Sequence, residues 1–232
     1  MLKINRRIPV SRVRLLIFDL DGTLIDSRID LANSVNAMLR HFGRPELPID
    51  VIASYIGDGA PMLVRRALAD PDDEHFVNDA TGYFMLWYRE HKLDNTYVYE
   101  GILPVLDRLC AGADGFERQM AVLTNKPVGP SQAIVEALGL SKYFFRVYGG
   151  NSFSTKKPDP LGAMTLAAEA RVSPTEAVMI GDSQNDILAA RNAGMWSLGL
   201  TYGLAPQSLE ITPADVMVDT PAEIAVAFEV DS

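Results

Sequence analysis

The stretch Leu15-Leu16-Ile17-Phe18-Asp19-Leu20-Asp21-Gly22-Thr23-Leu24 constrains this chain more than any other. Four apolar residues run directly into two carboxylates, a glycine and a hydroxyl. A continuous apolar run, rather than an alternating one, specifies a strand buried on both faces. Asp19 and Asp21 are two positions apart, so an extended segment points them the same way. They fall at the C-terminal edge of the strand, where open α/β sheets bind their ligands. Gly22 permits a sharp turn and close access to the backbone. An Asp-rich turn after an ordinary strand is the alternative reading. It suits an isolated Asp-Gly better than it suits the whole run.

The chain beyond this strand is helical. Asp26 or Ser27 can cap a helix with Asp30 in its first turn. Ile29, Leu31, Val35, Met38, Leu39 and Phe42 keep helical spacing until Gly43 and Pro45. Residues 48–56 predict a second short helix, broken by Gly57-Asp58-Gly59. Residues 60–69 predict a third. After the acidic turn at 71–74, Phe76, Ala80, Tyr83, Phe84, Trp87 and Tyr88 mark a long fourth helix. Aromatics at that spacing form a helix-bundle core rather than a platform for stacking bases.

From about residue 97 strands return. Residues 119–123, 146–148, 177–180, 195–200 and 215–218 predict strands. Residues 102–110, 131–138, 160–170 and 187–193 predict the helices between them. Alternation of this kind gives a parallel, doubly wound sheet, so the fold class is α/β. The 232 residues, 48% of them hydrophobic, suffice for such a core with a smaller inserted unit. The helical insertion of about 70 residues is too long for a loop. It predicts an all-helical cap domain, 27–96, inserted in a catalytic core, 1–26 and 97–232. Connections near 24–27 and 95–101 would leave one sheet edge together and act as a hinge.

Four strand ends carry polar groups: Asp19 and Asp21, then Thr124 and Asn125, then a loop with Lys156 and Lys157, then Asp182-Ser183-Gln184-Asn185-Asp186. Parallel strands place all their C-terminal ends on one side, so these groups converge. Asp19, Asp21 and Asp182 suit one hard cation, and few protein oxygens fit Mg²⁺, which keeps waters and shares a phosphate oxygen. A lysine pairs with the same anion, and a hydroxyl and an amide donate to phosphoryl oxygens. Phosphoryl transfer requires little more than positioning and charge stabilisation, and a carboxylate can itself be the nucleophile. Each residue has a plainer alternative. The lysines could be a solvated pair, with Lys157 the better functional candidate. Asn125 could form a turn, Ser183 could cap a helix, and Asp186 could be a first-turn helix acid. Arg65 and Arg66 could meet a substrate carboxylate but better suit a solvated helix face. His41, His75 and His91 lack a metal-ligand pattern.

The net charge of −9 argues against broad attraction to nucleic acid or anionic membrane. Cys110, the single cysteine, cannot form an internal disulfide and reads as a small apolar packing group. The basic residues Lys3, Arg6, Arg7, Arg12 and Arg14 precede an apolar run too short for a signal peptide, and it ends in aspartates. No segment reaches the length of a membrane span. The expected location is the cytoplasm, as a monomer or homodimer.

With these motifs the chain resembles the haloacid dehalogenase superfamily of phosphohydrolases, with an inserted helical cap, over essentially everything after residue 13. Within it the chain is most similar to phosphoglycolate phosphatases. The residues that carry this are Phe18-Asp-Leu-Asp-Gly-Thr-Leu-Ile-Asp-Ser, Tyr55-Ile-Gly-Asp-Gly-Ala, Lys156-Lys-Pro-Asp-Pro and Ile180-Gly-Asp-Ser-Gln-Asn-Asp. The resemblance implies hydrolysis of a small phosphorylated metabolite through an aspartyl-phosphate, with Mg²⁺ as cofactor. It makes Asp19 the nucleophile and a metal ligand. Asp21 becomes the general acid and base, with a metal contact through its carbonyl. Thr124 and Asn125 hold the phosphoryl group, and Lys157 steadies it and the nucleophile. Asp182 completes the metal site, Asp186 supports it, and Gly57, Asp58 and Gly59 form a cap loop facing the site. Asp21 disfavours carbon–halogen chemistry, and Thr23 disfavours a sugar-phosphate mutase, where valine is usual. Lys92, the sole cap lysine, is poorly placed for phosphonate cleavage. Two departures, Glu100-Gly101 in place of Pro-Gly and a lengthened turn at 113–118, bear on the substrate rather than the chemistry. A phosphatase for another small metabolite, a mutase, and a non-catalytic binding module remain the alternatives.

Overall fold

Residues 2–110 and 117–229 are described in the computed structural model of the chain; most of the lengthened turn at 113–118 lies outside them. A short strand, β1 (Lys3–Ile4), precedes the apolar run, which forms β2 (Leu15–Phe18). All four residues of β2 are buried. Leu16 and Phe18 pack into one hydrophobic cluster, Leu15 and Ile17 into another. A pleated strand sends alternate side chains to opposite faces, and here both faces are covered.

β3 (Ile25–Asp26) comes next, and then four helices: α1 (Arg28–His41), α2 (Ile49–Ala53), α3 (Ala60–Ala67) and α4 (Glu74–His91). Asp73 caps α4, accepting from the Phe76 amide. Ser27 stands at the cap of α1 but makes no capping bond. Its hydroxyl donates instead to Asp21, 2.6 Å away. β4 (Tyr97–Val98) then pairs antiparallel with β3, Ile25 opposite Val98 and Asp26 opposite Tyr97. The two connections into and out of the helices are thus one hydrogen-bonded ribbon. Asp30, in the first turn of α1, fastens it. Its carboxylate accepts the amides and side chains of both Asn95 and Thr96.

The rest of the chain alternates: α5 (Ile102–Cys110), β5 (Gln119–Leu123), α6 (Val128–Ala137), β6 (Arg146–Tyr148), α7 (Leu161–Ala170), β7 (Ala177–Gly181), α8 (Gln184–Ala193), β8 (Trp196–Leu200), α9 (Gln207–Ile211), β9 (Val216–Val218) and α10 (Pro221–Ala227). The sheet order is β1-β9-β8-β7-β2-β5-β6. All its pairs are parallel except β1 with β9. Residues of α7 and α8 cover one face; α5, α6 and α10 cover the other. This is the expected α/β fold. Two helices start earlier than periodicity predicts, at Val128 and Gln184, because their first turns are polar or lack an inward apolar residue. Cys110 is exposed, so it does not serve the packing role expected of it.

Candidate active site

β2, β5 and β7 end level. Phe18 lies opposite Val122 on one side and Ile180 on the other. The chain beyond each strand therefore delivers its polar residues to one place. Asp19, Asp21, Thr124, Asn125, Asp182 and Ser183 line a single cavity there. Leu31, Leu63, Phe84 and Tyr88 of the helices line it as well. Gly22, between the acids and β3, has φ +81°, and a Cβ there would stand 2.2 Å from Asp182 Oδ2. The glycine is required both for the turn and for the closeness of Asp182.

Lys157 enters from the loop between β6 and α7. It is 4% exposed. Its Nζ is 2.9 Å from Asp19 Oδ1 and 2.6 Å from Asp186 Oδ1. Burial alone would depress this lysine; the carboxylates of Asp186 and Asp19 outweigh it and hold the ammonium above its ordinary value. Burial likewise pushes Asp19 up to about 6, with Lys157 pulling it back and Asp186 adding repulsion. Burial, and then repulsion from Asp186 and Asp19, pushes Asp182 up to about 8. That outcome holds although Asp182 Oδ2 accepts the Leu204 and Ala205 amides at 2.6 and 3.2 Å. The Thr23 hydroxyl donates to its Oδ1 at 3.3 Å.

Oxygens of Asp19, Asp182 and Asp186 lie within 4.8 Å of one another. Lys157 brings one positive charge to these three acids. Asp19 Oδ1 is buried, with the Lys157 ammonium as its one neighbouring cation among the described residues. Hard oxygen donors and surplus negative charge fit a divalent hard cation. Asp19 and Asp182 are the side chains disposed to hold it. Asp186 is already engaged: Oδ1 by Lys157, Oδ2 by the amide and hydroxyl of Ser183 at 3.0 and 2.7 Å. It orients its neighbours. The side chain of Asp21 stands outside this trio, turned toward Ser27 and Lys126.

Lys126 is the site residue that sequence reasoning missed. It is 6% exposed, and its Nζ lies 2.9 Å from each oxygen of Asp21. Its position directly after Thr124-Asn125, at the end of a central strand, was the signal that could have found it. The Asn125 amide nitrogen donates to the carbonyls of Gly57 and Lys157 at 2.9 and 3.0 Å. It therefore joins the loop 57–59 to the sheet end. Gly57 and Gly59 line the cavity. The Asp58 carboxylate faces Arg66 and Asn185 at 2.5 and 2.8 Å. Burial opposes its ionisation, but the bonds from Asn185 and Arg66 hold it below the usual carboxylate range. Lys156 donates to the Asp58 carbonyl, so this lysine holds the loop. Arg65 pairs with Glu74 at 2.6 Å, so neither arginine reaches the cavity. Among the described residues no histidine lines it, and His41 stacks on Tyr83.

A buried parallel sheet end here gathers carboxylates, a hydroxyl and a lysine, and comparison with known proteins identifies the class to which it belongs. Residues 16–200 match the haloacid dehalogenase-like hydrolases, and the chain belongs to that family. The phosphoglycolate phosphatase of Psychrobacter arcticus is 42% identical over 197 residues, 82% of this chain and 84% of that protein. That of Chromobacterium violaceum is 38% identical over 221 residues, 93% and 96% of the two chains. The crystal structure of a predicted phosphoglycolate phosphatase from Haemophilus somnus matches with a TM-score of 0.83 at 32% identity, over 92% of this chain and 96% of that one. No helix among the described residues is long and apolar enough to cross a membrane.

Proposed function

We propose that this chain hydrolyses a small phosphate monoester, 2-phosphoglycolate, through an aspartyl-phosphate on Asp19, with Mg²⁺ as cofactor. The observation that carries this reading is the position of Asp19: on the cavity wall, paired with Lys157, and clustered with Asp182 and Asp186. The two bacterial relatives bear the same activity in their names.

In this reading an Asp19 oxygen attacks phosphorus as the bond to the leaving alkoxide breaks. Asp21 gives that alkoxide a proton, then takes one from the water that releases phosphate. Thr124 and Asn125 position the phosphoryl oxygens, and Lys157 offsets their charge. Asp19, Asp182 and the Asp21 carbonyl would hold Mg²⁺, which when bound would supply further neutralisation of phosphoryl charge. The four helices, as a cap over residues 27–96, close on the core at 1–26 and 97–232 about the β3–β4 ribbon. The enzyme works in the cytoplasm on a freely diffusing metabolite.

A panel of phosphate monoesters assayed in Mg²⁺ tests this. Phosphoglycolate is expected to lead in kcat/KM. Hexose phosphates ranking far above it would overturn the substrate, and no turnover of any monoester would overturn the activity.

A further inference from the structure

Lys126 is a buried positive charge in the cavity that attack by Asp19 does not employ. Its Nζ lies against both oxygens of Asp21 at 2.9 Å. It also stands 4.7 Å from the ring centroid of Tyr88, on α4. A lysine ammonium has three N–H donors, and Asp21 accounts for two. Tyr88 is 2% exposed and lines the same cavity. Its buried hydroxyl oxygen faces the Lys126 ammonium and has no other partner among the described residues, so its own proton is unmatched. Buried hydroxyls are ordinarily partnered, so an unmatched one at a cavity wall points to a ligand group that completes it.

The other cations around the cavity are committed elsewhere. Lys157 lies between Asp19 and Asp186. Lys156 and Arg66 hold Asp58, and Arg65 holds Glu74. A second negative group on a substrate would therefore meet Lys126 and Tyr88. Beside them the helices present Leu31, Leu63 and Phe84, which offer a sugar's hydroxyls no hydrogen bonds. A wall of that kind discriminates by charge and size rather than by hydroxyl pattern.

We propose that Lys126 and Tyr88 form the leaving-group subsite and recognise a carboxylate carried next to the phosphate ester. The ammonium pairs with the carboxylate, and the Tyr88 hydroxyl donates to it. This rests on the reading that a phosphate monoester is hydrolysed at Asp19. Lys126 comes from the sheet and Tyr88 from the helices, so a substrate that bridges them also draws the two layers together.

The test compares phosphoglycolate with 2-hydroxyethyl phosphate, which has the same length without the charge, on the full chain in Mg²⁺. Lys126→Met is expected to lose about 100-fold in kcat/KM on phosphoglycolate, mostly through KM, and less than about tenfold on 2-hydroxyethyl phosphate. Lys126→Arg should recover part of the loss. Tyr88→Phe should lose about tenfold on phosphoglycolate alone. The ratio between substrates is the readout, because a group that merely steadied Asp21 would lower both alike. If Lys126→Met does not fold, the ratios in Lys126→Arg and Tyr88→Phe decide. Equal losses on both substrates would overturn the proposal. If another carboxylate-bearing monoester outranks phosphoglycolate and Lys126→Met erases its advantage, the subsite stands and the named substrate falls. If the wild-type enzyme prefers 2-hydroxyethyl phosphate or hexose phosphates, the subsite falls.

Discussion

Asp19 and Asp182 are carboxyls that burial drives toward the neutral form, and this makes the site's stability depend on pH in an uncommon direction. An acid whose pKa rises on folding binds its proton more tightly in the native state. Between its unfolded value of about 4 and its folded value, stability falls as pH rises. The window runs to about 6 for Asp19 and about 8 for Asp182. Asp26 and Asp58 shift the other way: burial opposes their charge, but Arg28 holds the first low, and Asn185 with Arg66 the second. They lose stability only as pH falls below about 4. Without divalent metal, the melting temperature should therefore fall from pH 5.5 to pH 8. Mg²⁺ should raise it more at pH 8 than at pH 5.5; melting scans in EDTA and in Mg²⁺ check both, and the reverse order would contradict the electrostatics. Gly22→Ala places a Cβ into Asp182 and should abolish the Mg²⁺-induced rise. The acids were legible in the sequence because each ends an apolar strand. Lys126 follows Thr124-Asn125 at such a strand end, but its role was not legible because its partner Asp21 lies 105 positions away.

Elements of ten residues or more announce themselves by periodicity, and α1 and α4 were legible for that reason. β3 and β4 were not. Each has two residues, too few for an alternating pattern, and their register is set by the chain that returns to them. Asp30 is the fastening between α1 and this ribbon, with four hydrogen bonds from Asn95 and Thr96. Asp30→Ala leaves two backbone amides, the Asn95 side-chain amide and the Thr96 hydroxyl without their acceptor. It should cost about 2–4 kcal/mol in urea unfolding; a loss under about 0.5 kcal/mol would show that the ribbon needs no such tie. The early starts of α6 and α8 teach a related lesson. The first turn of α8 is organised by the Ser183–Asp186 pair, so its polar residues are structural and site-forming at once.

At the scale of the molecule, the sheet end and the helices meet through the loop 57–59. Asn125 holds the Gly57 carbonyl, Asn185 holds the Asp58 carboxylate, and Lys156 holds the Asp58 carbonyl. Gly59 has φ +82°, and a Cβ there would approach the Asn125 carbonyl oxygen to 2.8 Å. Gly59→Ala should push the loop off the sheet end and lower kcat/KM by about 10- to 100-fold, since displacements near 1 Å at a site have that effect. Melting temperature should fall as well, because alanine is strained at this φ; unaltered kinetics would show that the loop does not position the site. The parallel sheet, its inserted helices and the convergence of their polar ends could be read from strand and helix alternation alone. The docking of this loop could not, because it depends on side chains reaching across two layers.

Every step of the proposed chemistry depends on Asp19 as the nucleophile. Acid-quenched mixing of the enzyme with phosphoglycolate carrying a labelled phosphate, in Mg²⁺, followed by peptide mapping, measures this directly. The result predicted is a base-labile label on the Asp19 peptide during turnover, absent from Asp19→Asn, which should also be inactive. Turnover with no labelled peptide, or an Asp19→Asn variant that hydrolyses the ester at the wild-type rate, would contradict it.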